Sequence, residues 1–550
     1  MEHPEGYERR WWILGVLCLS LLLIVMDNTI LNVALPTLVR KLHSTESQLQ
    51  WMVDAYSLLF AGLLLTMGTL GDRFGRGTAL ATGLVVFLVG SLLSAFAGSS
   101  HVLIITRGFT GIGAALIMPA TLSILTNVFP AEERAKAIGI WAGISGLAVA
   151  IGPVVGGLLL AHFWWGSVFL INVPVCAFAL IVGRLIVPNS RDPEARRLDP
   201  VGVVLSIIGL DALVYGIIEA PNHGWGSATI LTAFGIAAVV LIGFVIWETR
   251  IDHPMLNLKF FANPRFTAAN ISITLVFFAL FGSIFFLTQY LQFVLKYTPL
   301  EAGVRLVPMA AVLMMVAPIT GTLVKKLGSK ALVALGMLVG GIGLWYLGST
   351  TTGSGYAHVL TGLIIVAAGL AMSMVPATES IMGSLPPGQA GVGSAMNDTT
   401  REIGGALGVA VLGSVLTSKY GPAIVKAVGG LFAGHPGGAA ALAAAKSSVG
   451  GAIGVGNTLG GAAGHALILT ANATFISAMD STLKVAALVA VAGGVVSALF
   501  LPNRPRDEVP SAGEPVQGIE DEAAEALLGA EAVEVVEEAE AAIRPVGAAE

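Results

Sequence analysis

Long apolar runs alternate with short polar connections from residue 12 to residue 500. The runs lie near 12–35, 49–70, 78–98, 102–126, 136–160, 164–187, 201–220, 227–247, 267–293, 302–324, 330–349, 357–382, 390–417 and 475–500. At about 1.5 Å rise per residue, each is long enough to cross a hydrocarbon core of roughly 30 Å as a helix. The pattern predicts an all-α polytopic membrane protein with 14 transmembrane helices. The first run is longer than a signal-peptide core, carries Asp27 and Asn28, and is followed by no small-x-small cleavage site, so it is expected to stay in the membrane.

Basic residues orient the spans. Arg9, Arg10, Arg73, Arg76, Arg134, Lys136, Arg184, Arg191, Arg196, Arg197, Arg250, Lys259, Arg265, Lys325, Lys326, Lys330, Arg504 and Arg506 all fall on one side of this layout. The opposite connections hold Arg40, Lys41, Lys296, Arg305, Lys419, Lys426 and Lys446. Both termini are therefore expected in the cytoplasm. The Gly- and Ala-rich segment 418–474 is expected to be an external loop, with a short hairpin lying on the membrane as the alternative.

A repeat underlies the spans. The turn GTLGDRFGRG at 68–77 returns as GTLVKKLGSK at 321–330, and Gly139, Gly152 and Gly156 are echoed by Gly391, Gly404 and Gly408. An offset of about 250 residues implies a duplicated half. The expected organisation is 6+2+6: a six-helix half over 1–198, two linking helices over 199–250, a second six-helix half over 251–502, and a tail over 503–550.

Composition agrees with the pattern. Charged residues make up 11% and hydrophobic ones 55%, with a mean hydropathy of +0.83, whereas a soluble chain averages about 25% charged. The net charge of −5 conceals a division, because residues 507–550 hold 13 acids and one base. The membrane body is thus mildly basic, and the acidic tail is expected to be disordered in the cytoplasm. Cys18 and Cys176 both fall in apolar runs and imply no disulfide framework. No phosphate loop, metal-spaced His/Cys set or nucleophile elbow is present. The expectation is a chain without cofactor, metal, catalytic residues or nucleic-acid partner, energised by a gradient and monomeric among membrane lipids.

Ionisable residues inside the spans are the candidate chemistry, since an Asp at mid-bilayer costs about 2.5–3.5 kcal/mol on the insertion scale. Asp27 in the first span and Arg107 in the fourth lie at similar depth, able to pair or to share a polar network through Asn32. Asp398 and Glu402 are four apart and share one helical face, with Arg401 beside Glu402. Glu379 lies near the cytoplasmic end of span 12 and Asp54 near the outer end of span 2. Each could carry a proton or a cation, or be a structural charge. Asp211 and Glu219, in the linking helices, read as structural.

Four motifs resemble the major facilitator superfamily, and within it the 14-helix drug:proton antiporters. The 68–77 turn, with Gly68, Asp72, Arg73, Gly75 and Arg76, is similar to the G-x-L-x-D-R-x-G-R motif that follows the second helix. GPVVGG at 152–157, with Gly152, Pro153, Gly156 and Gly157, resembles G-P-x-x-G-G of the drug exporters. DNTILNVALP at 27–36 resembles D-x-T-I-V-N-V-A-L-P, and RGFTG at 107–111 resembles R-x-x-Q-G with Thr110 in place of Gln. WGSVFLINVP at 165–174 looks most like exporters of quaternary ammonium compounds and cationic dyes. The second-half turn lacks the acid.

The resemblance implies the major facilitator fold in a bacterial plasma membrane and alternating access. It implies proton-coupled export of lipophilic cations, with an exporter of a neutral or endogenous compound such as a lipid or antibiotic as the alternative. A transport-inactive scaffold or sensor is the remaining reading. Asp72 and Arg73 would latch one face closed, or serve as a topology marker alone. Gly152 and Pro153 would kink or hinge a helix.

Overall fold

The computed structural model describes residues 5–502 apart from 43, 45, 192–198 and 433–436. The acidic tail, Arg196, Arg197, Arg504, Arg506 and the Asn32 side chain lie outside the described residues.

The described residues form helices joined by short connections, with no strand among them. In chain order these are α1 (Arg10–Leu42), α2 (Glu46–Phe74), α3 (Arg76–Ala95), α4 (Ser100–Val128), α5 (Ala131–His162), α6 (Ser167–Leu170), α7 (Asn172–Ile186) and α8 (Pro200–His223). There follow α9 (Ala228–Glu248), α10 (Pro264–Gln289), α11 (Pro299–Gly348), α12 (Tyr356–Met382), α13 (Ala390–Phe432), α14 (Gly438–Ser447), α15 (Val449–Leu459) and α16 (Gly461–Phe500). Among the described residues, 13 helical stretches are long and apolar enough to cross a membrane.

Two glycines set the turns that the repeat picks out. Gly75 adopts φ 108° between α2 and α3, and Gly328 adopts φ 77°, ψ 160° within α11. Side chains other than glycine rarely tolerate such positive φ values. The break matters for α11, because 50 continuous residues would reach about 75 Å, more than twice the hydrocarbon core. The 75 turn is held from outside as well: Asn189 Oδ1 accepts from Thr78 N at 3.0 Å, and Ser190 O accepts from Arg76 N at 2.9 Å.

Helices approach closely where small residues face backbone, which is how apolar helices associate without a hydrophobic driving force. Helix α5 packs along the first part of α11, with Gly139 against Ala317 and Pro318 and with Gly303 against Pro153. Helices α8 and α9 pack on each other, and α8 also packs on α2 and α13. In the α8–α9 connection, Trp225 Nε1 donates to Ser414 Oγ of α13 at 2.7 Å.

The segment 418–474 differs from the expected loop. Helix α13 continues to Phe432, α14 and α15 follow, and α16 begins at Gly461. The reason is compositional: alanine is the best helix former and offsets the interspersed glycines. Tyr420 Oη donates to Ala445 O at 3.2 Å, folding α14 back on α13. The sixth expected span, 164–187, is divided into α6 and α7 at Ile171.

Candidate functional site

Asp27 and Arg107 form the most deeply buried ion pair. Helices α1 and α4 bring them together with 1% and 0% exposure, and Arg107 Nη1 donates to Asp27 Oδ2 at 2.5 Å. Asn172, at the start of α7, donates from Nδ2 to Asp27 Oδ1 at 2.6 Å and to Ser91 Oγ at 3.2 Å. The guanidinium lies 4.5 Å from the Tyr56 ring centroid and 5.9 Å from that of Phe169, distances at which a cation is attracted to the ring face. Arg107 Nε also donates to Met52 O at 3.4 Å. Met26, Ile30, Met52, Leu103 and Phe169 belong to one apolar cluster flanking the pair. Three polar atoms there have no partner among the described residues: Arg107 Nη2, Tyr56 Oη and Asn172 Oδ1. Thr110 satisfies itself, donating to Thr106 O at 2.8 Å.

A second charged centre sits on α13. Asp398 is 1% exposed; Asn397 Nδ2 donates to its Oδ1 at 3.2 Å, and Arg401 Nη1 forms an ion pair with the same oxygen from 3.6 Å away. Its Oδ2 has no partner among the described residues. Arg401 lies 4.5 Å from the Phe277 ring and 5.3 Å from Trp141, and Nη2 donates to Ser145 Oγ of α5 at 3.4 Å. The arginine pairs with Asp398 and also acts electrostatically on Glu402 beside it. Glu402 is partly buried and within electrostatic reach of Tyr56. Tyr56 itself is fully buried, its ring facing Arg107.

The 68–77 motif closes one end of the bundle, the end that carries the basic turns. Asp72 Oδ1 accepts from Arg76 Nε at 2.7 Å and from Gly391 N at 2.9 Å, and Oδ2 accepts from Val392 N at 3.1 Å. The carboxylate thereby occupies the N-terminus of α13, where unsatisfied N–H groups and the helix dipole favour an anion. Arg76 Nη2 donates to Gly388 O at 3.1 Å. Arg76, 1% exposed, pairs with Asp72; Arg73 is partly exposed, 5.5 Å from the Phe74 ring.

Gly68 makes this closure possible. A Cβ there would fall 2.5 Å from Gly391 O and 2.6 Å from Ala395 Cβ. Gly68→Val is expected to prise α2 from α13 at this end, at a cost on the order of 1–3 kcal/mol for overpacking. Turnover should slow and a maleimide should react faster with a Ser394→Cys reporter; unchanged labelling would count against the latch.

The 152–157 motif bears on the first centre. Gly152 faces Thr29 and Met26 of α1, and Gly156 faces Ile30. Thr29 Oγ1 donates to Met26 O, the carbonyl of the residue before Asp27, at 3.0 Å. Gly157 meets Leu300 of α11, and Pro153 lies inside α5.

Two acids lie apart from both centres. Glu379 is at the basic end, with Arg265 Nη2 at 3.7 Å and Ser329 Oγ at 3.5 Å. Asp54 is buried at the opposite end of α2, where Gln50, one turn away, donates to Glu219 of α8 at 2.5 Å. Among the described residues, no group of His, Cys, Asp and Glu could hold a metal ion.

The chain is similar to proteins of known kind. Over 501 residues it is 32% identical to the tetracenomycin C resistance and export protein of Streptomyces glaucescens, covering 91% of this chain and 93% of that protein. Over 413 residues it is 36% identical to the multidrug efflux pump LfrA of Mycolicibacterium smegmatis, covering 75% and 82% respectively. The fold resembles that of a bacterial homologue of the human lysosomal transporter Spinster, with TM-score 0.56 and 20% identity over 91% of this chain and 99% of that one. Such relatives, together with so many candidate spans, mark a multi-pass protein of the bacterial inner membrane. Residues 17–409 match the family model for the Major Facilitator Superfamily, and the chain belongs to that superfamily, among its drug-resistance exporters.

Proposed function

We propose that the chain is a proton-coupled exporter of lipophilic cations that works by alternating access. The observation that carries this reading is the presence of two buried acid–arginine centres, one on α1 and α4 and one on α13. Buried acids inside a membrane are costly, and a titratable pair at a helix interface gives a proton something to switch.

In this reading α11 counts as two spans, giving 14 helices with both termini in the cytoplasm. The chain is organised as a half over 1–198, linking helices over 199–250, and a half over 251–502 that is followed by the acidic tail. The basic end is then cytoplasmic, and the Asp72–Arg76 latch closes that side. The carboxylates at Asp27, Asp398 and Glu402 attract the cation from within, and protonation from outside weakens that attraction and releases it. Glu379 serves the cytoplasmic closure through Arg265. Pro153 and its glycines let α5 bend against α1, beside Asp27. The protein acts as a monomer among lipids.

The relatives are a multidrug efflux pump and an exporter named for one antibiotic. The second favours a rival substrate class, a neutral antibiotic. Ethidium or tetraphenylphosphonium movement in energised vesicles separates the two. Transport abolished by an uncoupler is the expected result; transport that ignores the uncoupler would overturn proton coupling, and no transport of either cation would favour the neutral substrate.

A further inference from the structure

Arg401 joins helices that lie far apart in the chain. It projects from α13, yet its guanidinium lies 5.3 Å from the Trp141 ring of α5 and 4.5 Å from the Phe277 ring of α10. Nη2 donates to Ser145 Oγ, four residues along α5 from Trp141, at 3.4 Å. Trp141, Phe277, Asp398 and Arg401 are all buried, none more than 5% exposed. The indole is fixed from behind, its Nε1 donating to Thr121 Oγ1 of α4 at 3.2 Å. The Phe277 ring lies 5.7 Å from that of Phe281. Two aromatic rings from different helices and one carboxylate thus surround a single cation.

That cation is held loosely. Arg107 meets Asp27 at 2.5 Å, whereas Arg401 Nη1 stays 3.6 Å from Asp398 Oδ1. The contacts of Arg401 to Ser145 and Asp398 both lie beyond the roughly 2.7–3.2 Å of a well-formed N–H···O bond. Asp398 Oδ2 and Arg401 Nη1 have no hydrogen-bond partner among the described residues. The turn from Asp398 to Glu402 also carries two acids and one arginine. One carboxylate is left over, for a proton or for one monovalent cation. Ring faces beside a carboxylate are the chemistry that recognises a lipophilic cation.

We propose that Arg401 is a tethered occupant of a cargo subsite formed by Trp141, Phe277 and Asp398. An exported cation displaces the guanidinium from the two rings, and the return of the guanidinium expels the cargo. The subsite rests on the reading of the chain as a cation exporter, and it gives that reading a place between α5, α10 and α13. Arg107 is no such occupant, because Arg107 and Asn172 engage both oxygens of Asp27.

Binding of radiolabelled tetraphenylphosphonium to the purified full-length chain tests the subsite. Equilibrium dialysis in alkaline buffer keeps protons from competing for Asp398. Removing a competitor that fills a site about 90% of the time strengthens apparent affinity about tenfold. Arg401→Gln should therefore bind the cation about tenfold more tightly, and in vesicles its KM and kcat for efflux should both fall. A merely structural arginine would lower kcat with no gain in affinity. Arg401→Lys keeps a positive charge beside Asp398 but lacks the flat group that stacks on rings. It should bind more tightly than the wild type, by a smaller factor. Phe277→Leu should weaken binding about fivefold, as expected of one lost ring–cation contact.

Affinity unchanged or lowered in Arg401→Gln overturns the proposal, and Arg401→Lys decides in the same sense if the glutamine variant does not fold. Full affinity in Phe277→Leu overturns it as well. If neither the wild type nor Arg401→Gln binds the cation, the cation reading falls and the subsite with it. If the affinities move as expected while efflux ignores an uncoupler, the subsite stands and proton coupling falls.

Discussion

Asp27→Asn is expected to cost the protein its fold as well as its transport. The substitution keeps the volume of the side chain and deletes only the charge, but Arg107 then lies at 0% exposure with no anion at 2.5 Å. Breaking a buried pair from one side typically costs about 3–5 kcal/mol, because the surviving charge stays desolvated. Asn172 cannot compensate, since its Nδ2 is a donor facing the same place. Stability in detergent, followed by thermal loss of the monodisperse peak, should fall by roughly that amount. The companion Asp27→Asn/Arg107→Met should recover most of it, because removing both charges leaves neither orphaned. Transport by the double variant should remain absent if Asp27 carries the coupling proton or the cation. A single variant as stable as the wild type would show that the pair is solvated, and a double variant that transports would remove Asp27 from the mechanism.

The contrast between what could be read from the chain and what needed the fold follows from what each depends on. Span positions depend on local apolar length, and the repeat at 68 and 321 depends on spacing, so both are legible in one sequence. The pairing of Asp27 with Arg107 was open to inference because two charges at equal depth have few other partners. Which arginine of the 68–77 turn faces inward was not legible, since it hangs on where Gly75 breaks the helix and starts a new one at Arg76. Asn172 belongs to a motif already in view, yet its side chain reaches Asp27 only because α6 and α7 divide at Ile171. Glu219 is hidden for a similar reason: its bond from Gln50 depends on the register of α8 against α2, and periodicity within one helix carries no register between two. The helices within 418–474 lack any long apolar run, and alanine propensity alone was outweighed by glycine in the linear reading.

In the proposed mechanism a membrane potential alone should drive transport of a monovalent cation, provided two carboxylates titrate in each cycle. Exchange of one proton inward for one such cation outward moves no net charge. That cycle draws only on the pH difference, about 1.4 kcal/mol per unit. Two protons per cation move one net charge inward. At 100 mV and one pH unit, the electrical part contributes about 2.3 kcal/mol and the pH part about 2.8, together roughly 5 kcal/mol. The proposed mechanism puts the two protons in separate places: Asp27 is fixed on Arg107, whereas on α13 one oxygen of Asp398 is buried with no partner among the described residues, and Glu402 lies close by. In inverted vesicles, a valinomycin-set potential that is positive inside should therefore drive tetraphenylphosphonium uptake with no pH difference imposed. Asp398→Asn or Glu402→Gln should lose this response and keep the response to a pH difference, since each variant would retain the Asp27 proton. Wild-type uptake indifferent to the potential would mean that one proton suffices. The acids of α13 would then hold α13 against α10 and α5 through Arg401, at whose guanidinium Phe277 and Trp141 already meet.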